Sequence, residues 1–109
     1  MTEILKILGQ VAPTADVLTD LYTVPSLTQT STSSIVICNQ SSANIVFSIS
    51  VAINGASDSP EQYLYFNVPL EPGDTFIATV GISLSAGDVI RVRTDTEVVS
   101  FNAFGVEVA

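Results

Sequence analysis

The chain has 109 residues, with eleven acidic side chains against three basic ones (Lys6, Arg91 and Arg93), no His, no Trp and one Cys. Its formal net charge of −8 disfavours nucleic acid and anionic membrane surfaces as partners. The lack of His and of a second Cys excludes the common zinc sites, the usual nucleophile–base pairs and any internal disulfide. An apolar share of 47% beside a charged share of 13% excludes disorder and implies that some surface is buried against another subunit.

Residues 3–11 (EILKILGQV) fit two periods. Ile4, Ile7, Leu8 and Val11 make a helical stripe, and Leu5, Ile7, Gly9 and Val11 a strand face. Gly9, with Pro13 beyond it, favours a strand or an N-terminal extended arm over about residues 1–12. Glu3 comes early and no apolar core with a cleavage site follows, so no secretory leader is expected. No apolar run approaches the length of a membrane-spanning helix. Residues 12–20 read as a loop, Leu21-Tyr22-Thr23-Val24 as a short strand ended by Pro25, and residues 26–34 (SLTQTSTSS) as a polar connection.

Ile35-Val36-Ile37-Cys38 opens the next strand, which predicts a buried, inert thiol at Cys38. After a turn at residues 39–42 comes the clearest alternation of the chain: Ile45, Phe47, Ile49, Val51 and Ile53 on one face, with Ser48, Ser50 and Ala52 between them. Residues 54–61 read as a polar, acidic loop. The strand at 62–68 is expected to put Leu64, Phe66 and Val68 on one side and Tyr63 and Tyr65 on the other.

Leu70-Glu71-Pro72-Gly73-Asp74 and Leu84-Ser85-Ala86-Gly87-Asp88 share the pattern L-x-[PA]-G-D. In each, Gly supplies a positive φ and Asp bonds its own backbone, so each predicts a tight turn, leading into strands at 75–82 and 89–94. Asp95-Thr96-Glu97 is a last turn. In residues 98–108 the apolar positions slip from odd (Val99, Phe101, Ala103) to even (Phe104, Val106, Val108), which predicts a β-bulge near Ala103-Phe104. About eight short strands and no convincing helix predict an all-β fold over residues 1–109: a single-domain antiparallel β-sandwich, jelly-roll-like in character.

The search for chemistry yields little. Lys6 is the only candidate base for a Ser-Lys pair and lies in an edge segment. Glu61, Glu71, Asp74 and Asp88 fall in turns, where carboxylates serve as solvated or backbone-bonding groups rather than as a hydrolytic pair. Asp16 with Asp20, or Asp58 with Glu61, offer oxygen ligands for calcium, without a recognisable loop pattern. No catalytic residue, metal ligand or cofactor is therefore assigned. Arg91 and Arg93 share a strand face, either gripping a partner's carboxylates or neutralised by acids of the same chain such as Glu97. Tyr22, Tyr63 and Tyr65 fit packing better than a sugar-stacking platform. The candidate interface residues are Ile4, Leu5, Ile7, Tyr63, Tyr65, Arg91 and Arg93.

Five short segments span most of the chain in a distinctive order. They are Leu8-Gly9-Gln10-Val11-Ala12-Pro13, Asp20-Leu21-Tyr22-Thr23-Val24-Pro25, Val36-Ile37-Cys38-Asn39, Leu84-Ser85-Ala86-Gly87-Asp88 and Val99-Ser100-Phe101-Asn102-Ala103-Phe104-Gly105. In this order they resemble small structural proteins of tailed bacteriophages, especially those of marine and cyanobacterial phages. The resemblance implies a non-enzymatic virion structural protein with no catalytic residues to transfer, assembled in the host cytoplasm and resident in the virion. It implies the major capsid protein or other virion proteins as partners, and a homo-oligomer that decorates or cements the capsid. A phage tail or fibre component is the second reading, and a host-surface carbohydrate-binding module the third.

Overall fold

Alternating apolar residues separated by Gly- and Asp-bearing turns build nine strands in the structure, a computed structural model that describes residues 2–109. They are β1 (Glu3–Val11), β2 (Thr19–Thr23), β3 (Gln29–Asn39), β4 (Ile45–Ala52), β5 (Tyr63–Leu70), β6 (Thr75–Ala78), β7 (Ile82–Leu84), β8 (Val89–Thr94) and β9 (Val99–Val108). Two 3₁₀ turns, Ile53–Gly55 and Pro60–Gln62, lie in the loop between β4 and β5. All strand pairs are antiparallel and form two sheets, β1-β9-β3-β6 with β7 also on β3, and β2-β8-β4-β5. Counting β6 and β7 as one interrupted strand, this is the eight-stranded jelly-roll order, two interleaved sheets from two Greek keys. The expected sandwich is present, in its jelly-roll form.

The core lies between the sheets. Phe47, Phe101, Ile35, Ile37, Ile45, Ile49, Ile90, Val92 and Val99 are all at most 2% exposed. Burying each such side chain stabilises the fold by about 1.5–3 kcal/mol relative to leaving it in water. The Phe47 ring sits at the centre, 5.4 Å from Phe76, 6.3 Å from Phe101 and 6.5 Å from Tyr65 by ring centroids.

The two L-x-[PA]-G-D segments are structural equivalents. Gly73 and Gly87 have φ of 74° and 89°, and the N–H of Asp74 and of Asp88 closes each turn on the carbonyl of Glu71 and of Ser85. Each turn then seals the end of a strand in the same way. Gly73 N–H donates to Asn39 O and Asn39 N–H to Asp74 O; Gly87 N–H donates to Val24 O and Val24 N–H to Asp88 O. One turn docks in each sheet, so the repeat visible in the sequence is a repeated joint in the fold.

Of the two readings of residues 3–11, a strand or an extended arm, the strand is present: β1 pairs with β9 along its length, as the end strand of its sheet. Three expectations are corrected. Residues 29–34 are strand rather than connection, because Thr30 and Thr32 alternate inward (each 3% exposed) between outward Gln29, Ser31 and Ser33. The strand expected over 75–82 breaks between β6 and β7. Finally, β9 is regular. Val99, Phe101, Ala103 and Gly105 all face inward, and the extra residues lie in its neighbours, Leu8 in β1 and Ser33 in β3. The even-numbered Phe104 and Val106 therefore point to the outer face of the sheet.

Candidate interaction surface

β1 presents an open edge with unusual side chains. The Thr2 N–H donates to Ala109 O at 2.8 Å and the Ala109 N–H to Thr2 O at 2.9 Å, so this pair exchanges both its bonds. Antiparallel ladders alternate. Ile4 and Lys6 therefore direct their backbone groups to Glu107 and Gly105 of β9, and Glu3, Leu5 and Ile7 direct theirs to the open side. The apolar side chains here are exposed, Ile4 at 50%, Leu5 at 83% and Ile7 at 51%. Leu5 opposes Val106 and Ile7 opposes Phe104, which gives a two-by-two apolar square on the outer face against the open edge. Of the seven interface candidates named from the amino-acid pattern, Leu5 and Ile7 thus share the outer face at this edge, and Ile4 lies on the inner face of the same strand. Farther along β1 the Leu21 carbonyl lies against the face of Gly9, where a Cβ would stand.

Beneath this end of the sheet runs a polar network. The Tyr22 hydroxyl lies 2.8 Å from Thr30 Oγ1 and donates to Glu107 Oε2 at 2.5 Å; Lys6 Nζ donates to Glu107 Oε1 at 3.2 Å. Burial, with help from the Glu107 carboxylate, pushes the Tyr22 phenol up to about 12. The Tyr22 hydrogen bond, assisted by Lys6, holds the Glu107 carboxyl below its ordinary range. The network ties β2 to β9 and β1, and fixes the strand that carries the open edge.

Arg91 and Arg93 do share the outer face of the other sheet, but their partners are Asp20 and Asp16 rather than Glu97. Arg91 Nε is 3.2 Å from Asp20 Oδ1, and its remaining nitrogens donate to the carbonyls of Ala56 and Gly55 at 2.7 and 3.2 Å. Arg93 Nη2 is 3.4 Å from Asp16 Oδ1 and stays half-exposed. Arg91 is thus a clamp on the 3₁₀ loop, and Arg93 the freer of the two cations.

Tyr63 and Tyr65 part company. Tyr65 opposes Ile49 on the inner face and packs on Phe47 and Phe76; Tyr63 opposes Ser50 on the outer face, donates to Asp58 Oδ2 at 3.0 Å and sets its ring edge-to-face with Phe66. Two bulges cause this, one at Leu64 and one at Phe66-Asn67, where Asn67 adopts φ 51°. Leu64 and Phe66, expected to share a side with Val68, are instead turned outward, 45% and 65% exposed, while Val68 packs against the core. The two tyrosines therefore do not form a sugar-stacking pair. Cys38 is half-buried on the outer face rather than in the core, because the inward position beside it is Ile37.

Leu27 is the most exposed of the apolar residues that the sequence pattern did not single out, and Ile53, expected on the apolar face of the strand ending at Ala52, instead opens a 3₁₀ turn at 80% exposure. Leu27 is 92% exposed at φ 57° and lines an open groove of about 650 Å³ with Ala86, Val108 and Ala109. A lone Leu inside a Ser/Thr-rich stretch was the only signal. The loop acids bond locally: Asp88 accepts from the N–H groups of Asn54 and Ser85, Asp74 from Thr75, and Glu61 from the Ser59 hydroxyl. Among the described residues, no group of three or more His, Cys, Asp or Glu is placed to hold a metal ion, and no helix is long and apolar enough to cross a membrane. In comparisons with protein families, curated proteins and solved structures, nothing matches this chain.

Proposed function

We propose that the chain is a non-enzymatic bacteriophage virion structural protein that decorates or cements the capsid through protein–protein contacts. The observation that carries this reading is the open β1 edge with its apolar square of Leu5, Ile7, Phe104 and Val106. A solvated monomer gains nothing from four apolar side chains beside unpaired backbone groups, and natural sheet edges avoid that combination. Two further features agree. Asp74, Asp88 and Arg91 are engaged in holding turns and a loop, and among the described residues no group of three or more His, Cys, Asp or Glu is placed to hold a metal ion. The jelly roll also recurs among viral capsid domains, a likeness of fold that supports the reading by analogy alone.

In this role the β edge and the apolar square are buried at a junction between virion subunits. The net charge of −8 favours basic patches on the capsid exterior and keeps the chain off packaged DNA. Purified protein added to tailed-phage capsids that lack it should co-sediment in many copies per particle. A Leu5→Lys variant, which keeps the fold because Leu5 is 83% exposed, should lose most of that binding. Wild-type protein that stays in the supernatant would overturn the proposal.

A further inference from the structure

We infer that the chain self-associates through β1, a second copy adding its own β1 antiparallel across a two-fold axis at Leu5, so that two sheets become one. This deepens the assembly half of the proposed function and rests on the same edge. Its test uses the isolated chain, so that its failure leaves the particle role standing.

The four sheet edges are not equivalent. β2 is only five residues long and carries a register shift. β5 carries Pro69 and two bulges, and the β6/β7 edge is broken at residues 79–81. Prolines, bulges and short strands are the devices that keep edges from pairing. β1 is nine residues long, its one shift falls at Leu8, and the stretch Glu3–Ile7 before it carries neither proline nor bulge, with one Glu and one Lys as its only charges.

The occupant follows from symmetry. The residues whose N–H and C=O groups face outward are 3, 5 and 7. A two-fold axis normal to the sheet at Leu5 pairs Leu5 with its own copy and Glu3 with the copy's Ile7. Every outward donor then meets an outward acceptor, and each side chain stays on its own face of the joined sheet. On the outer face Val106, Leu5, Leu5 and Val106 fall into one row across the joint. On the inner face Ile4 of each chain opposes Lys6 of the other. No like charges oppose each other directly, and the strand is electrically neutral on a chain of net charge −8. The acidic loops that repel a second copy elsewhere are absent from this edge, so charge does not oppose the pairing. A contact of one strand pair and a small apolar face lies at the low end of interface sizes, so the dimer is reversible.

The test is molecular mass by light scattering or sedimentation as concentration rises through the micromolar range, with amide hydrogen exchange on the same samples. Wild type should move from 11.5 kDa toward twice that mass, and the Leu5 and Ile7 amides should gain protection in step. Leu5→Lys places two ammonium groups at the axis and should weaken association by about tenfold or more. Leu5→Pro removes an outward N–H without touching the ladder to β9, and should do the same while circular dichroism stays native. A wild-type chain that remains monomeric, including one that joins a capsid only as a monomer, overturns the inference. So does a dimer that survives both substitutions, and so does a wild-type dimer whose Leu5 and Ile7 amides gain no protection.

Discussion

The Tyr22 hydroxyl and the Glu107 carboxylate, 85 residues apart in the chain, meet at 2.5 Å across the gap between the two sheets. Each partner shifts the other: the phenol is raised from 10.0 to about 12, first by burial and then by Glu107, and the carboxyl is lowered, first by the Tyr22 hydroxyl. The signs give two windows. The Glu107 contribution is present above the ordinary carboxylate range and is lost as pH falls through its lowered value. The Tyr22 contribution is present below pH 10 and is lost as pH rises toward 12. Urea unfolding across pH should show both losses. Tyr22→Phe should lower stability at neutral pH by about 1–3 kcal/mol, and should make the acid limb shallower and remove this residue's part of the alkaline one.

Two glycines act by absence of bulk. A Cβ on Gly9 would meet the Leu21 carbonyl, and one on Gly105 would meet the Ser31 carbonyl and stand 2.9 Å from Thr32 Cα, all backbone that has no rotamer to yield. Gly81 has nothing within 4 Å and no positive φ. Gly9→Ala and Gly105→Ala should each destabilise the fold by at least about 1–3 kcal/mol, and Gly81→Ala should be neutral or slightly stabilising. Thermal melts of the three variants side by side measure the difference.

Asn39 is fully buried and carries one end of the repeated joint. Its Nδ2 lies 2.9–3.1 Å from the carbonyls of Ala43, Leu70 and Glu71, and its Oδ1 accepts from the backbone and hydroxyl of Ser41. Asn39→Ala orphans these groups and should cost about 2–4 kcal/mol. Asn39→Asp should be at least as damaging, since a carboxylate facing carbonyl oxygens has no donor to offer. Chemical denaturation reads both.

The two arginines should separate by experiment. Arg91→Ala removes the bonds to Asp20, Gly55 and Ala56 and should speed amide exchange across the 3₁₀ loop at residues 53–62. Arg93→Ala breaks only a half-exposed pair and should change stability by less than about 1 kcal/mol. If capsid binding nevertheless drops in Arg93→Ala, the outer face of the second sheet belongs to the contact as well.

The parts of the fold that follow local rules were legible. Ile45, Phe47 and Ile49 line the core as their alternation demands, and both Gly-Asp turns close as their φ and side-chain chemistry require. What escaped depends on a neighbour. Thr30 and Thr32 alternate like core residues, but their hydroxyls disguise it, and only Tyr22 across the gap and the β7 segment beside them in the same sheet explain their burial. Tyr65 and Phe66 exchange faces because Asn67 takes a left-handed backbone, a hint readable only as an Asn inside a strand. The slip from odd to even apolar positions in residues 98–108 is real, but it records a second, outward apolar face rather than a bulge in that strand. At the candidate surface Ile4, Leu5 and Ile7 were identifiable as apolar residues in an edge segment. Their partners Phe104 and Val106 were not, because pairing β1 with β9 is a property of the topology. For the same reason, deleting residues 1–11 strips an edge strand from the sheet and exposes β9, so point substitutions at Leu5 probe assembly more cleanly.

Whether the chain is a capsid-bound structural protein is decided by electron cryo-microscopy of tailed-phage particles assembled with it. The expected result is density for a jelly roll on the capsid exterior, in many copies at junctions between capsid subunits, with the Leu5 end of the sheet buried. Density confined to the tail in a few copies, or no density on the particle at all, would contradict the capsid role.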